Sequence, residues 1–245
     1  MTLPDLVLVH GGAHAADCWD LTIAELRRQE PRLRVLAVDL PGRRNKAGDL
    51  ATATIAQWVD SVVADIEQAQ LHDVVIVGHS MAGVTVPGVV AKLGAGRVRE
   101  MVLVTAFVPP QNAAIIDTLG GFLGFYGRHV VKFGQTLTLP TVVARFAFCT
   151  KMTHAQRRFT LSRIYPESFR VPCEPVDRGE LPDKVPRSWV LTLNDRALSV
   201  RSQQASIAAL GGVGTVIGID ACHDVMISHP GQLAELLIQR CRARR

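Results

Sequence analysis

The sequence predicts an α/β fold: a mostly parallel, doubly wound sheet of about six strands, with helices on both faces and a helical cap inserted near one end. Three observations carry that prediction. Short β-branched runs alternate with stretches whose apolar residues recur at helical spacing, the pattern of parallel strands joined by crossover helices. One run, 74–77, stops at Gly78 and gives way to the small-residue segment Ser80-Met-Ala-Gly83, a sharp strand-to-helix bend. Between Phe107 and Pro186 the alternation breaks for roughly 80 residues, far longer than an ordinary connection.

Taken in order, residues 6–9 form the first strand and lead into His10-Gly-Gly-Ala-His14. A helix comes next over about 19–29, with Ile23 and Leu26 spaced for a buried stripe. Residues 33–38 read as the second strand, ending in the loop Asp39-Leu-Pro-Gly42. Ile55, Trp58, Val59, Val62, Val63 and Ile66 share helical spacing, and Thr54 stands where an N-cap belongs. After the bend at Ser80 a helix reaches about Leu93, and Pro87 is expected to kink it or shift its register. Further strands lie at 98–104, 188–193 and 214–218. A last helix opens near Ser228-His-Pro-Gly231 and carries Leu233, Leu236 and Leu237 on one face. No internal repeat or low-complexity linker breaks the series. The chain reads as a single domain, 1–245, with a core of 1–106 and 187–245 and a cap of about 107–186.

Composition agrees. The 245 residues can bury one substantial core, and 48% apolar with 20% charged residues is ordinary for a globular protein. No apolar run approaches the roughly 20 residues of a membrane span. Met1-Thr-Leu-Pro-Asp5 leads straight into a strand rather than through a signal peptide. The five cysteines are widely spaced and form no metal-binding pattern, so reduced thiols and a cytoplasmic location are expected. The net charge of +5 owes much to Arg240, Arg242, Arg244 and Arg245, cations that suit a helix C-terminus; nucleic-acid binding is not expected. Oligomeric state is open, a homodimer included.

The chemistry centres on Ser80. A bend of this kind holds its central residue in a strained backbone conformation that only tiny neighbours permit. Ser80 would stand at the carboxyl end of the sheet, close to the N–H groups of the following helix start. This is a nucleophile elbow, with Ala82 in the fifth place where Gly is usual and Gly83 next. At the end of the first strand, the Gly11–Gly12 pair lets backbone approach a ligand, and one of its N–H groups with that of Met81 would stabilise an oxyanion. Serine needs a base, and the base an acid to fix its tautomer. Of eight histidines, His223 alone comes after a late strand outside the two turns already described. The strand 188–193 ends in Asn194-Asp195, which brings Asp195 to the same sheet edge. Asp220 and Asp224 are rivals, but lie too near His223 along the chain to reach behind its ring easily. The alternative place for the acid, Val104-Thr105-Ala106, has no carboxylate.

All eight phenylalanines and both tyrosines fall between 107 and 186. They either build a core for the cap or line an apolar substrate pocket; His10, Gly11, Phe122, Phe125 and Phe148 are the expected substrate contacts.

The order Ser80, Asp195, His223, together with Val9-His-Gly-Gly12, Asp39-Leu-Pro-Gly42, Gly78-His-Ser-Met81, Ala106-Phe-Val-Pro109, Phe148-Cys-Thr150, Asn194-Asp-Arg-Ala197 and Ala221-Cys-His223, resembles the α/β-hydrolases. Within them it is similar to the branch of plant methylesterases, hydroxynitrile lyases and bacterial esterase relatives. That resemblance implies Ser80 as nucleophile, His223 as base, Asp195 as orienter, Gly12 and Met81 N–H groups as the oxyanion hole, and no cofactor. The expected function is cleavage of a small, largely apolar or aromatic carboxylic ester through an acyl-enzyme. Alternatives are a cofactor-free lyase or C–C bond hydrolase with the same triad, or a non-catalytic binding protein. The lyases of this branch carry a lysine after the base and a threonine after the first-strand histidine, where this chain has Asp224 and Gly11. Asp224 is expected either to face the site, repelling a departing cyanide, or to point to solvent or cap the last helix.

Overall fold

The computed structural model describes residues 3–44, 46–120 and 136–243. Its strands are β1 (Asp5–Val9), β2 (Val35–Val38), β3 (Val74–His79), β4 (Val98–Val104), the two-residue β5 (Thr136–Leu137) and β6 (Glu167–Ser168), β7 (Arg187–Thr192) and β8 (Thr215–Ile219). Six of them form one parallel sheet in the order β2-β1-β3-β4-β7-β8. β5 and β6 pair antiparallel, apart from it.

Alternation along each strand feeds two separate cores, because successive side chains point to opposite faces. Val74 and Ile76 of β3 join one, with Trp58 and Val62 of α2 (Ile55–Gln68) and Val89 and Val90 of α3 (Val86–Leu93). Val75 and Val77 join the other, with Leu26 of α1 (Asp20–Gln29) and Leu233 and Leu237 of the last helix, Pro230–Arg242. Thr54 caps α2 in a reciprocal box with Gln57, as its position predicts.

Three local expectations change. Pro87 does not kink a continuous helix. A 3₁₀ turn, Ser80–Val84, precedes α3, and Pro87 sits in the first turn of that helix, where a missing N–H costs nothing. The second strand starts at Val35, two residues later than expected, because Leu33 N–H closes a turn onto Glu30 O. In α1, Thr22 and Leu26 are buried and Ile23 only partly so. At the chain end, Arg240 does more than suit a helix terminus: its guanidinium grips the buried Glu100 of β4 through both carboxylate oxygens. Among the described residues no helix is long and apolar enough to cross a membrane.

Between β4 and β7 the chain leaves the carboxyl end of the sheet and contributes Ile115, Leu119, Leu139, Phe148, Glu167, Phe169 and Pro172 to the walls of a cavity containing Ser80. Its helix Thr141–Phe148 also packs Ala144, Ala147 and Phe148 into the second core, so its aromatic content serves both purposes.

Candidate active site

Ser80 comes directly after β3 and has φ of 52°, a left-handed value that a non-glycine residue holds only when its surroundings impose it. The imposed contacts are visible. Phe107 N–H donates to Ser80 O at 2.9 Å, and a side chain on Gly83 would put Cβ 2.3 Å from Phe107 O. The position that must be glycine is therefore 83. Ala82 points into the core, which explains why the fifth place of the bend tolerates a methyl group.

His223 lies in the loop after β8. Its Nε2 is 2.8 Å from Ser80 Oγ and its Nδ1 is 2.7 Å from Asp195 Oδ2. Asp195 can only accept, so Nδ1 carries the proton and Nε2 is left to receive one from the serine hydroxyl. His79 Nε2–H donates to His223 O at 3.1 Å, and the Phe148 ring stacks on the imidazole at 5.3 Å between centroids. The ring of His223 is thus fixed from its backbone, its far edge and one face.

Asp195 is held as firmly. Ala197 and Leu198 N–H donate to Oδ1 at 2.7 Å each, and Thr105 and Thr192 hydroxyls donate to Oδ2. Burial by itself would raise its pKa, but the His223 ring and these donors outweigh it and hold the carboxyl below the usual carboxylate value. Asp220, the rival acid, is exposed and bonded by Asn194 and Lys151.

The cavity above Ser80 has a volume of about 180 Å³ and is lined by apolar side chains, with Gly12, Met81, Phe148 and His223 among its walls and Glu167 its one carboxylate among the described residues. Larger surface grooves exist, one of about 850 Å³ among Asp5, Arg34, His72 and Asp73. That groove lies at the opposite, amino end of the strands and has no serine or cysteine among its lining residues, so the smaller cavity is the candidate site.

The structure brings together Ser80, His223, Asp195, Gly12, Met81 and Phe148. It does not bring His10 to the cavity. His10 is fully buried, its Nδ1–H donating to Gly11 O at 2.8 Å and its Nε2 accepting from Leu40 N–H at 3.1 Å, so it ties the first two βα loops together instead of touching substrate. Gly11 acts by lacking a side chain, since a Cβ there would lie 2.6 Å from Ser80 Cβ. Phe122 and Phe125 lie outside the described residues.

Asp224 neither points to solvent nor caps the last helix. It is fully buried, and both its oxygens are 3.1 Å from His14 Nε2. Sequence reasoning passes over His14, which lies within the loop after the first strand; the partnership spans 210 residues and leaves no local trace. It also misses Thr105 as a participant, although the position of that residue at the end of β4, one of two where the fold puts an acid, is an available signal. His79, His223 and Asp224 place ligand-type atoms within 4.8 Å of one another. His223 uses both ring nitrogens on Ser80 and Asp195, Asp224 both oxygens on His14, and His79 its Nε2 on His223 O, while His79 Nδ1 is buried without a hydrogen-bond partner.

The buried histidines carry a pH prediction. Burial, then His223, push the His79 pKa down to about 3, and burial, then Arg43, hold His10 well below its ordinary value. For His14 burial acts in the same direction, but the Asp224 charge and hydrogen bond outweigh it and raise the pKa. A lowered histidine contributes stability above its unfolded pKa of about 6.5 and loses it as pH falls; the raised His14 contributes its share below that pH and loses it as pH rises. Between about pH 6 and 4.5 His79 is therefore protonated in the unfolded chain and neutral in the folded one, and His10 acts in the same direction. Unfolding free energy should fall as pH is lowered through that window, His79 alone contributing about 1.4 kcal/mol per pH unit. Urea denaturation at pH 4.5, 5.25 and 6 measures the slope, and His79→Gln should make it shallower. A slope near zero would mean that His10 and His79 are protonated in the native state.

A serine on a strained strand-to-helix bend, an aspartate on the loop after β7 and a histidine on the loop after β8, all at the carboxyl edge of a parallel sheet, define the class to which such a molecule belongs. The chain is a member of the alpha/beta hydrolase family, whose profile it matches over residues 6–236. It is 31% identical over 118 residues to a carbendazim hydrolyzing esterase of Nocardioides sp. (strain SG-4G), 48% of each protein. It is 37% identical over 79 residues to a putative chloroplastic methylesterase 11 of Arabidopsis thaliana, 31% of this chain and 20% of that one. These matches span about half or less of the length of either relative. Among solved structures, an extracellular alpha/beta-hydrolase from a Paenibacillus species, described as sharing structural and functional homology with tobacco salicylic acid binding protein 2, superimposes with a TM-score of 0.85. The identity is 24%, covering 98% of this chain and 100% of that one. A pyrethroid hydrolase from Sphingobium faniae JZ-2 gives 0.78 at 21% identity, with 99% and 98% covered. At these identities the structural likeness is one of fold.

Proposed function

We propose that this protein is a serine hydrolase that cleaves carboxylic esters of small, largely apolar substrates through an acyl-enzyme. The observation that carries the reading is Ser80 Oγ at 2.8 Å from His223 Nε2 on the wall of an apolar cavity. As Oγ attacks the ester carbonyl, its proton passes to Nε2, and the oxygen that becomes negative is met by the N–H groups of Gly12 and Met81. The imidazolium, opposite the ionised Asp195, returns the proton to the departing alcohol, and water then repeats the sequence on the acyl-enzyme. Two relatives named as esterases support ester hydrolysis over other uses of the same groups. The cavity is comparable with an apolar void of about 150 Å³ that takes up benzene, so a short acyl chain or a single aromatic ring fits it.

A cyanohydrin lyase would need a cation near the base to receive cyanide. Among the described lining residues there is none, and Glu167 lines the cavity instead. Asp224 is not among the residues that line the cavity, and its carboxylate is hydrogen-bonded to His14. The test is a panel of p-nitrophenyl esters from acetate to octanoate, with the benzoate, alongside mandelonitrile. Turnover should be highest for the short and aryl acyl groups, with cyanide release at the uncatalysed rate. Efficient mandelonitrile cleavage that disappears in Ser80→Ala would leave only the fold standing.

A further inference from the structure

We propose that Glu167, which enters the site from the chain between β4 and β7, is a positioning residue that sets the oxyanion-binding loop. The inference rests on the reading of Ser80 as nucleophile and Gly12 N–H as an oxyanion donor. The loop after β1 is not held by its own strand. Ala13 has φ of 59°, another left-handed non-glycine residue, and its peptide groups are satisfied from the far side of the cavity. Ala13 N–H donates to Glu167 Oε2 at 2.7 Å, and Tyr165 N–H donates to Ala13 O at 2.9 Å. The residue after Gly12 is therefore clamped at both its amide and its carbonyl by the segment that carries β6.

Glu167 is itself fixed. Its Oε1 accepts from Ser168 N–H and from the guanidinium of Arg43, which is wholly buried, lies 5.5 Å from the Trp58 ring centroid and donates Nε–H to His14 O at 3.2 Å. Arg43 thus grips the same loop one residue further on. It also supplies the positive charge without which a carboxylate beside the oxyanion position would oppose the reaction. The approach is close: a Cβ on Gly12 would lie 3.1 Å from Glu167 Oε2, so an alanine there would require the carboxylate to give by a few tenths of an ångström.

The clamp acts on the state in which charge develops, so its loss should lower rate and not ground-state binding. Three variants, Glu167→Ala, Glu167→Asp and Glu167→Gln, are compared with wild type by the rate of Ser80 phosphonylation with a fluorophosphonate. Their kcat and KM for p-nitrophenyl acetate and their thermal melting are measured alongside. Glu167→Ala should be slowed about 10- to 100-fold in both phosphonylation and kcat, less than the cost of deleting an oxyanion donor outright, with KM changed less than about threefold. Glu167→Asp, which keeps the charge but withdraws it from Ala13, should be slowed in the same range and carries the test if Glu167→Ala does not fold. Glu167→Gln has one carbonyl oxygen for the donors of Ala13, Ser168 and Arg43, and its NH₂ must face at least one of them, so it should be slowed in the same range. Wild-type rates in any of the three variants, or a loss expressed wholly in KM, would overturn the inference while leaving the hydrolase reading intact. Failure of the wild type itself to react with the fluorophosphonate would overturn both.

Discussion

Replacing Ser80 by alanine is expected to lower steady-state ester turnover roughly a millionfold, with the protein still folded. The reason is that the substitution removes the attacking atom and little else. Ser80 already holds φ of 52° under contacts made by its own backbone and by Gly83, and none of them involves Oγ. His223 Nε2 loses its partner but faces the cavity, where water replaces the hydroxyl. Melting should therefore stay within about 3 °C of wild type, the shift that a 1 kcal/mol change produces in a chain of this size. Binding of a non-hydrolysable amide analogue of a good ester should be unchanged. Retention of more than a few per cent of the activity would mean that another group attacks, and the assignment of the site would fail with it.

The frame of the molecule is legible in the sequence because it is periodic. Residues Val74 to Val77 divide between two cores by strand alternation alone, and Trp58, Val62 and Ile66 face the sheet at the spacing that predicts them. The three groups that meet at Ser80 are legible for a related reason. In a parallel sheet every strand delivers the residue after it to the same edge, so Ser80, Asp195 and His223 can be placed from the ends of β3, β7 and β8. Side chains that arrive from within loops leave no such mark. His14 meets Asp224 across 210 residues, and Arg43 meets Glu167 across 124, in partnerships set by the packing of two loops with no shared period. His10 is misplaced by sequence for the same reason. Its position beside Gly11 puts it at the site along the chain, while its ring turns inward to satisfy Leu40 N–H and Gly11 O. The missing donor of Pro87 suggests a kink, and the 3₁₀ turn before it removes the need for one.

Asp195→Asn is expected to cut kcat by about three to four orders of magnitude with KM little changed, and the geometry says why so conservative a change is so costly. An asparagine at 195 must give its single oxygen to the Ala197 and Leu198 N–H groups, because backbone donors cannot rotate away. Its NH₂ then occupies the place of Oδ2, facing Thr105, Thr192 and His223 Nδ1. The two hydroxyls can turn to accept. The imidazole can accept at Nδ1 only by moving its proton to Nε2, and that proton then points at Ser80 Oγ, which is left without a base. The fold loses almost nothing, so the variant should melt near wild type while its phosphonylation by a fluorophosphonate slows in step with kcat. Asp220→Asn is the control: that carboxylate is exposed and bonded to Asn194 and Lys151, and its loss should cost less than about tenfold. A severe Asp220→Asn and a mild Asp195→Asn would transfer the acid to the other loop and undo the account of the His223 tautomer.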